Sequence, residues 1–282
     1  MSIGLRYMVI SAFFFSLMSV LVKLGGAYGF DSAQLVFARS FIALILSYWV
    51  IHREKIPFWN TPHRKLLLLR GGIGFVALNC FFYAITKLPL ADATVIQYMN
   101  PAFVTVFAAI FLKEEFDSRV LIGLVLCVSG VVLIAQPSFL FGESRLELFS
   151  VGVAALGAVL SAGGYTTVRA LKGKAEPILV VFYFPLVATP LSLPAAAPVW
   201  KWPDLRGIAI LLGIGVVTQI AQIFMTRGFH MESASKASMM TYLQVVFAFV
   251  WGVAFFGEVP DLFALVGSCL ILGGALFIVI KR

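Results

Sequence analysis

Residues 82–115 read FYAITKLPLADATVIQYMNPAFVTVFAAIFLKEE, and residues 226–258 read TRGFHMESASKASMMTYLQVVFAFVWGVAFFGE. Shifting the first stretch by 144 positions places Tyr98 on Tyr242, Phe103 on Phe247, Phe107 on Trp251, Phe111 on Phe255 and Glu114 on Glu258. The register continues without a gap through Asp117 on Asp261, Gly123 on Gly267 and Gly130 on Gly274. Shared apolar character does not by itself align charges and glycines, so the chain reads as two copies of one unit.

Each copy is apolar throughout. Of the 282 residues 61% are hydrophobic and only 12% charged, with 27 Phe, whereas a soluble domain carries about 25% charge to cover its surface. A membrane helix needs about 20 apolar residues, and apolar runs between Gly, Pro and charge punctuation predict ten spans. They cover roughly 5–25, 32–51, 66–86, 90–112 and 119–136 in the first copy, and 149–170, 177–198, 206–228, 233–256 and 261–280 in the second. The run after Arg6 meets Lys23 rather than a small-residue cleavage site, so it counts as the first span and not as a leader. Five spans is an odd number, so the second copy enters from the opposite face. The expected fold is an all-α integral membrane protein of ten helices in two inverted repeats, 1–140 and 141–282.

Alternate loops test the count. With the N-terminus inside, fifteen Lys and Arg fall on its side, among them Arg53, Lys55, Arg64, Lys65 and Arg70. The opposite side collects Lys87, Arg145, Lys201 and Arg206. That excess is the positive-inside pattern, with both termini cytoplasmic. It also accounts for the net charge of +8 without nucleic acid, which requires a basic solvated face.

Catalytic signatures are missing: there is no HExxH, GxSxG or Walker loop, and the GGIG at 71–74 lies inside an apolar run where small residues let helices approach. No cofactor or metal is expected. Polar residues inside spans are the better guide, because each needs a protein partner or a wet cavity. Ser16, Ser19 and Lys23 share a face of the first span, Asn79 and Tyr83 of the third, and Thr94, Gln97 and Tyr98 of the fourth. The sixth span carries Ser161, Tyr165 and Arg169, the eighth Gln219, Gln222 and Thr226, and the ninth Ser238, Thr241 and Tyr242. All of these spacings trace one helical stripe.

Three features stand apart. Arg39 lies eight residues past Asp31, about 12 Å deep at 1.5 Å per residue, where a charge costs about 2.5–3.5 kcal/mol. Its partner is an internal carboxylate such as Asp92, helix-end carbonyls, or an anionic substrate. Asn100-Pro101 interrupts the fourth span, and the missing proline N–H leaves the Gln97 carbonyl free as a binding feature or a hinge at Pro101. Val245 stands at the matching place in the ninth span, so no such break is expected there. Asp92, Glu114, Glu115 and Glu258 all fall near span ends, and no buried carboxylate is expected to relay protons.

The 82–115 run with its echo at 226–258, the FARSF at 37–41 and the glycine-punctuated fifth and tenth spans together resemble the EamA-type drug/metabolite transporters. Within them the chain is similar to the branch that includes S-adenosylmethionine, organic-anion and amino-acid carriers and eukaryotic relatives of nucleotide-sugar transporters. The resemblance implies that spans 1, 3, 4, 6, 8 and 9 line a central cavity while the fifth and tenth lie outside. The expected function is therefore a secondary transporter in the cell membrane, moving a small polar metabolite by alternating access, with the bilayer as its other partner. The excess of basic residues within spans points to a carboxylate-bearing solute. The tyrosines leave S-adenosylmethionine or a nucleotide-like solute open. The rival classes are a membrane-embedded acyltransferase and a non-transporting scaffold.

Overall fold

The computed structural model describes residues 1–88, 90–115, 118–141, 147–257 and 261–279, and all regular structure among them is helical. Helices α1 (Ile3–Ala27), α2 (Ser32–Arg53) and α3 (Arg64–Lys87) follow the first three expected spans. The fourth is split into α4 (Leu90–Gln97) and α5 (Asn100–Leu112), and α6 (Ser118–Ala135) completes the first half before the short α7 (Ser138–Phe141). The second half runs α8 (Leu148–Ala170), α9 (Pro177–Ala196), α10 (Leu205–Met231), α11 (Ala234–Met239), α12 (Leu243–Phe256) and α13 (Leu262–Val279). Among the described residues nine helical segments are long and apolar enough to cross a membrane, and Leu262–Phe277 is a shorter apolar helix. This is the architecture of a ten-helix membrane protein. The expected loop at 142–146, Asp117, Glu258 and residues 281–282 lie outside the described residues.

Local chemistry sets the helix ends. Asp31 and Asp204 accept hydrogen bonds from Ala33 N at 2.8 Å and Gly207 N at 2.9 Å, satisfying first-turn donors of α2 and α10 that have no carbonyl partner. Lys113 and Gly257, related by the 144-residue shift, end α5 and α12 in the same left-handed conformation, with φ of 54° and 64°. Glycine adopts that conformation freely, whereas Lys113 is strained by its Cβ.

Two sets of repeat-related residues touch each other. A Cβ on Gly130 would sit 2.5 Å from the Gly267 carbonyl oxygen, and one on Gly267 would sit 2.6 Å from that of Gly130. Cys127 Sγ lies 3.7 Å from the carbonyl of Ile271, its own repeat mate. Helices α6 and α13 therefore pack backbone to backbone, as small residues allow in a membrane where lipid competes equally for larger side chains. Farther along the repeat, Phe111 and Phe255 are both turned out of the bundle, 69% and 63% exposed, where acyl chains meet them.

Three expectations need correction. The ninth span does break: α11 gives way to a 3-10 turn at Met240–Tyr242 before α12. No proline is involved, and the hydroxyls of Ser238 and Thr241 instead bond to the carbonyls of Ser235 and Ser238 at 3.0 and 2.6 Å. Asp92 is fully buried, in the first turn of α4, and accepts a hydrogen bond from Ser138, so a buried carboxylate exists after all. Arg70 does not belong to a loop: it is 5% exposed inside α3.

Candidate functional site

The break between α4 and α5 is the framework of the site. Pro101 cannot donate to the Gln97 carbonyl, but that carbonyl is not free as expected: Asn100 Nδ2 donates to it at 2.8 Å. The residue before the proline thus caps the vacancy that the proline creates. The Tyr98 carbonyl at the same turn accepts from the Tyr242 hydroxyl at 2.8 Å, and the two rings stack with centroids 5.9 Å apart and planes at 28°. The two broken helices are tied together at their breaks, through residues the repeat makes equivalent.

Beside this junction lies a cavity of about 230 Å³, below the 300–1,000 Å³ of drug-sized pockets and suited to a small metabolite. Gln97, Tyr98 and Asn100 line it from the first break, and Thr241 and Gln244 from the second. Ser161 and Tyr165 come from α8, Gln222 from α10, and Arg39 from α2. Arg70, Gly74 and Phe81 of α3, Phe15 and Met18 of α1, and Phe184 of α9 complete the wall. The lining is thus wider than the six expected spans, since α2 and α9 also contribute.

The electrostatics are one-sided. Arg39 and Arg70 place their guanidinium carbons 5.8 and 5.2 Å from the centroid of the same Phe184 ring, within reach of a cation–π attraction. Arg39 Nη1 is 4.0 Å from Met18 Sδ, and the Nε atoms of both arginines are buried without a hydrogen-bond partner. Neither guanidinium has an ion pair or an oxygen acceptor among the described residues. Asp92, the internal carboxylate considered for Arg39, is bonded to Ser138 instead. Two amide oxygens on the cavity wall, Gln97 Oε1 and Asn100 Oδ1, are also buried without donors, although Gln97 Nε2 donates to Ser161 Oγ at 3.0 Å. Such groups cost free energy unless something satisfies them.

The other residues anticipated for the site are elsewhere. Ser19 bonds back to the Phe15 carbonyl at 3.2 Å, and Lys23 is exposed near the end of α1. Asn79 is exposed and bonds the Phe75 carbonyl at 2.8 Å, while Tyr83 stands edge-on to Phe149. Thr94 does not line the cavity. Gln219 is buried and donates to Ser47 Oγ at 2.7 Å. Ser238 holds the turn described above, and Tyr242 is fully buried behind Tyr98.

Arg169 belongs to a separate knot. Its Nε pairs with Glu114 Oε1 at 2.8 Å, and its Nη1 donates to the carbonyls of Phe229 and His230, both at 3.1 Å. Glu114 Oε2 accepts from Ala234 N at 2.8 Å. This knot joins the ends of α5, α8 and α10 to the start of α11.

Arg70, Phe184, Met18 and Gln244 were missed. Arg70 had a usable signal: it lies six residues inside α3, about 9 Å deep at 1.5 Å per residue, the same depth argument that marked Arg39. Phe184 carried none, being one aromatic in a uniformly apolar span.

An all-helical multi-pass bundle with a cavity lined by polar and charged side chains between broken helices is the build of a membrane carrier. The chain belongs to the EamA-like transporter family, whose pattern it matches over residues 2–136 and 148–280. It is 36% identical over 275 residues to the pseudopaline exporter CntI of Pseudomonas aeruginosa (strain UCBPP-PA14), covering 95% of this chain and 93% of that one. Identity to solute carrier family 35 member G1 of Mus musculus is 31%, over 99% of this chain and 77% of the other. Identity to the S-adenosylmethionine uptake transporter of Rickettsia bellii is 25%, over 99% and 94%. A solved crystal structure superposes with a TM-score of 0.84 at 18% identity, over 97% of this chain and 95% of that chain, and attests the fold alone. The protein is a multi-pass membrane transporter of small solutes and not an enzyme.

Proposed function

We propose that this carrier moves a carboxylate-bearing metabolite of amino-acid or organic-acid type by alternating access of its two halves. The observation that carries this reading is the pair Arg39 and Arg70 at the cavity, with no carboxylate paired to either among the described residues. Each charge at the centre of a membrane helix costs about 2.5–3.5 kcal/mol, a large part of the 5–15 kcal/mol that holds a typical protein together. An anionic solute offsets that cost by supplying the missing counter-charge. The unpartnered oxygens of Gln97 and Asn100 suit an N–H or O–H donor on the same solute.

The relatives do not agree on a cargo, since one is named for export of pseudopaline and another for uptake of S-adenosylmethionine. S-adenosylmethionine also carries a carboxylate, but its sulfonium makes it cationic overall and two guanidiniums repel that charge, so the cavity favours a solute without a net positive charge. Counterflow in proteoliposomes tests the reading. Trapped mixtures of amino and organic acids should drive uptake of a labelled member, and Arg39→Gln should abolish it while the protein remains folded and inserted. Uptake confined to cationic or uncharged solutes would overturn the assignment.

A further inference from the structure

We infer that the cavity is built for a solute with two anionic groups, each taken by one arginine. This rests on the carboxylate-carrier reading and sharpens it. A single carboxylate pairs most closely with one of the two guanidiniums, and the second then has the Phe184 ring but no carboxylate among the described residues. Both guanidinium carbons lie within 6 Å of the one Phe184 ring, so their separation cannot exceed the two ring distances laid end to end. Two carboxylates a few bonds apart span such a gap. Contact with the same ring keeps both cations at one end of the cavity, where one solute can reach them together.

The backbone around Arg70 is shaped for this position. Gly74, one helical turn along α3, has no side chain, and a Cβ there would stand 2.5 Å from Arg70 Nη1 and 3.1 Å from Phe184 Cδ2 and Cε2. Arg70 and Phe184 occupy the space that any other residue at 74 would claim. Arg70 is itself 5% exposed, so bulk water screens little of its charge. Arg39, which reaches the cavity from α2, retains some accessible surface and completes the pair.

The test compares probes that differ in one charge and almost nothing in shape. Binding of L-glutamate and L-glutamine to the purified protein is measured by calorimetry for the wild type, Arg39→Gln and Arg70→Gln. Aspartate with asparagine, and 2-aminoadipate with its amide, extend the series in length. The dicarboxylate of the best-fitting length should bind at least about ten-fold more tightly than its amide, the scale of one charge-assisted hydrogen-bonded pair. Each arginine variant should erase that preference by weakening the dicarboxylate more than the amide, because only the dicarboxylate needs both guanidiniums at once. If a variant does not fold, Arg39→Lys or Arg70→Lys keeps the charge, and a fall in the preference with the fork removed supports the same conclusion. Equal binding of dicarboxylate and amide at every length overturns the two-anion clamp but leaves the carboxylate carrier standing. Binding of lysine or uncharged solutes with no binding of any acid overturns both.

Discussion

Substitution of Gly74 by alanine separates the position of Arg70 from its presence. The added methyl falls 2.5 Å from Arg70 Nη1 and 3.1 Å from two carbons of Phe184, whereas ordinary carbon contacts begin near 3.5 Å. The guanidinium must therefore retreat by about 1 Å, enough to spoil a hydrogen bond whose useful range is about 2.7–3.2 Å. A charge-assisted bond contributes about 1.5–3 kcal/mol, so L-glutamate binding should weaken by about 10- to 150-fold. Stability should hardly change: the alanine gains about 1 kcal/mol of helix propensity, and this offsets the low end of the roughly 1–3 kcal/mol of overpacking. The overpacking is mild because the crowded atom is the tip of a flexible side chain. Calorimetric titration with L-glutamate beside unfolding in detergent reads both quantities. Gly72→Ala is the control, since a Cβ there meets nothing within 4 Å: L-glutamate affinity should match the wild type, and stability should rise by about 1 kcal/mol of helix propensity with no overpacking against it. Undiminished L-glutamate affinity in folded Gly74→Ala would refute the claim that Arg70 is held in place for the ligand.

Three further outcomes follow from the same geometry. Tyr242→Phe keeps the stacked ring but removes the hydroxyl that bonds the Tyr98 carbonyl. It should cost about 1 kcal/mol in unfolding free energy, the scale of interhelical hydrogen bonds in membranes, and wild-type stability would count against that bond. Lys113→Gly relieves a left-handed residue and should stabilise by about 0.5–1 kcal/mol, and a loss of stability there would show the lysine side chain to matter more than its backbone. Single cysteines at 53–65 or 281–282, in a background without the native three, should resist an impermeant thiol reagent added outside cells, whereas those at 142–147 should react. Labelling of 53–65 from outside would reverse the membrane orientation.

The spans were legible because apolar periodicity and charge punctuation act over twenty residues at a time. The break at Asn100-Pro101 was legible because proline lacks a donor wherever it stands. Its twin at Met240–Tyr242 was not, since Ser238 and Thr241 reach back to carbonyls only once the chain has already turned. Gln97, Tyr98, Tyr165, Gln222 and Thr241 were named from polar stripes, Arg39 from its depth and Asn100 from the proline break, and all of them line the cavity. Asn79 and Tyr83 followed the same rule and do not, because a stripe fixes a helix face but not the neighbour that face meets. Phe184 was invisible for the complementary reason: an apolar ring earns its place only through the two cations that come to it from α2 and α3. Arg70 was hidden by its proximity to Arg64 and Lys65, which made one buried charge look like part of a surface cluster.

The contact between Tyr98 and Tyr242 is lopsided in a way that the repeat does not require. Tyr242 gives its hydroxyl proton to the Tyr98 carbonyl, yet no matching bond from the Tyr98 hydroxyl to the Tyr242 carbonyl is found among the described residues. Two equivalent residues thus hold unequal roles, one as donor and one as recipient. The tie between the two breaks is therefore a single bond with a side chain at one end and the backbone at the other, so a change at position 242 can cut it while a change of side chain at position 98 leaves its acceptor in place.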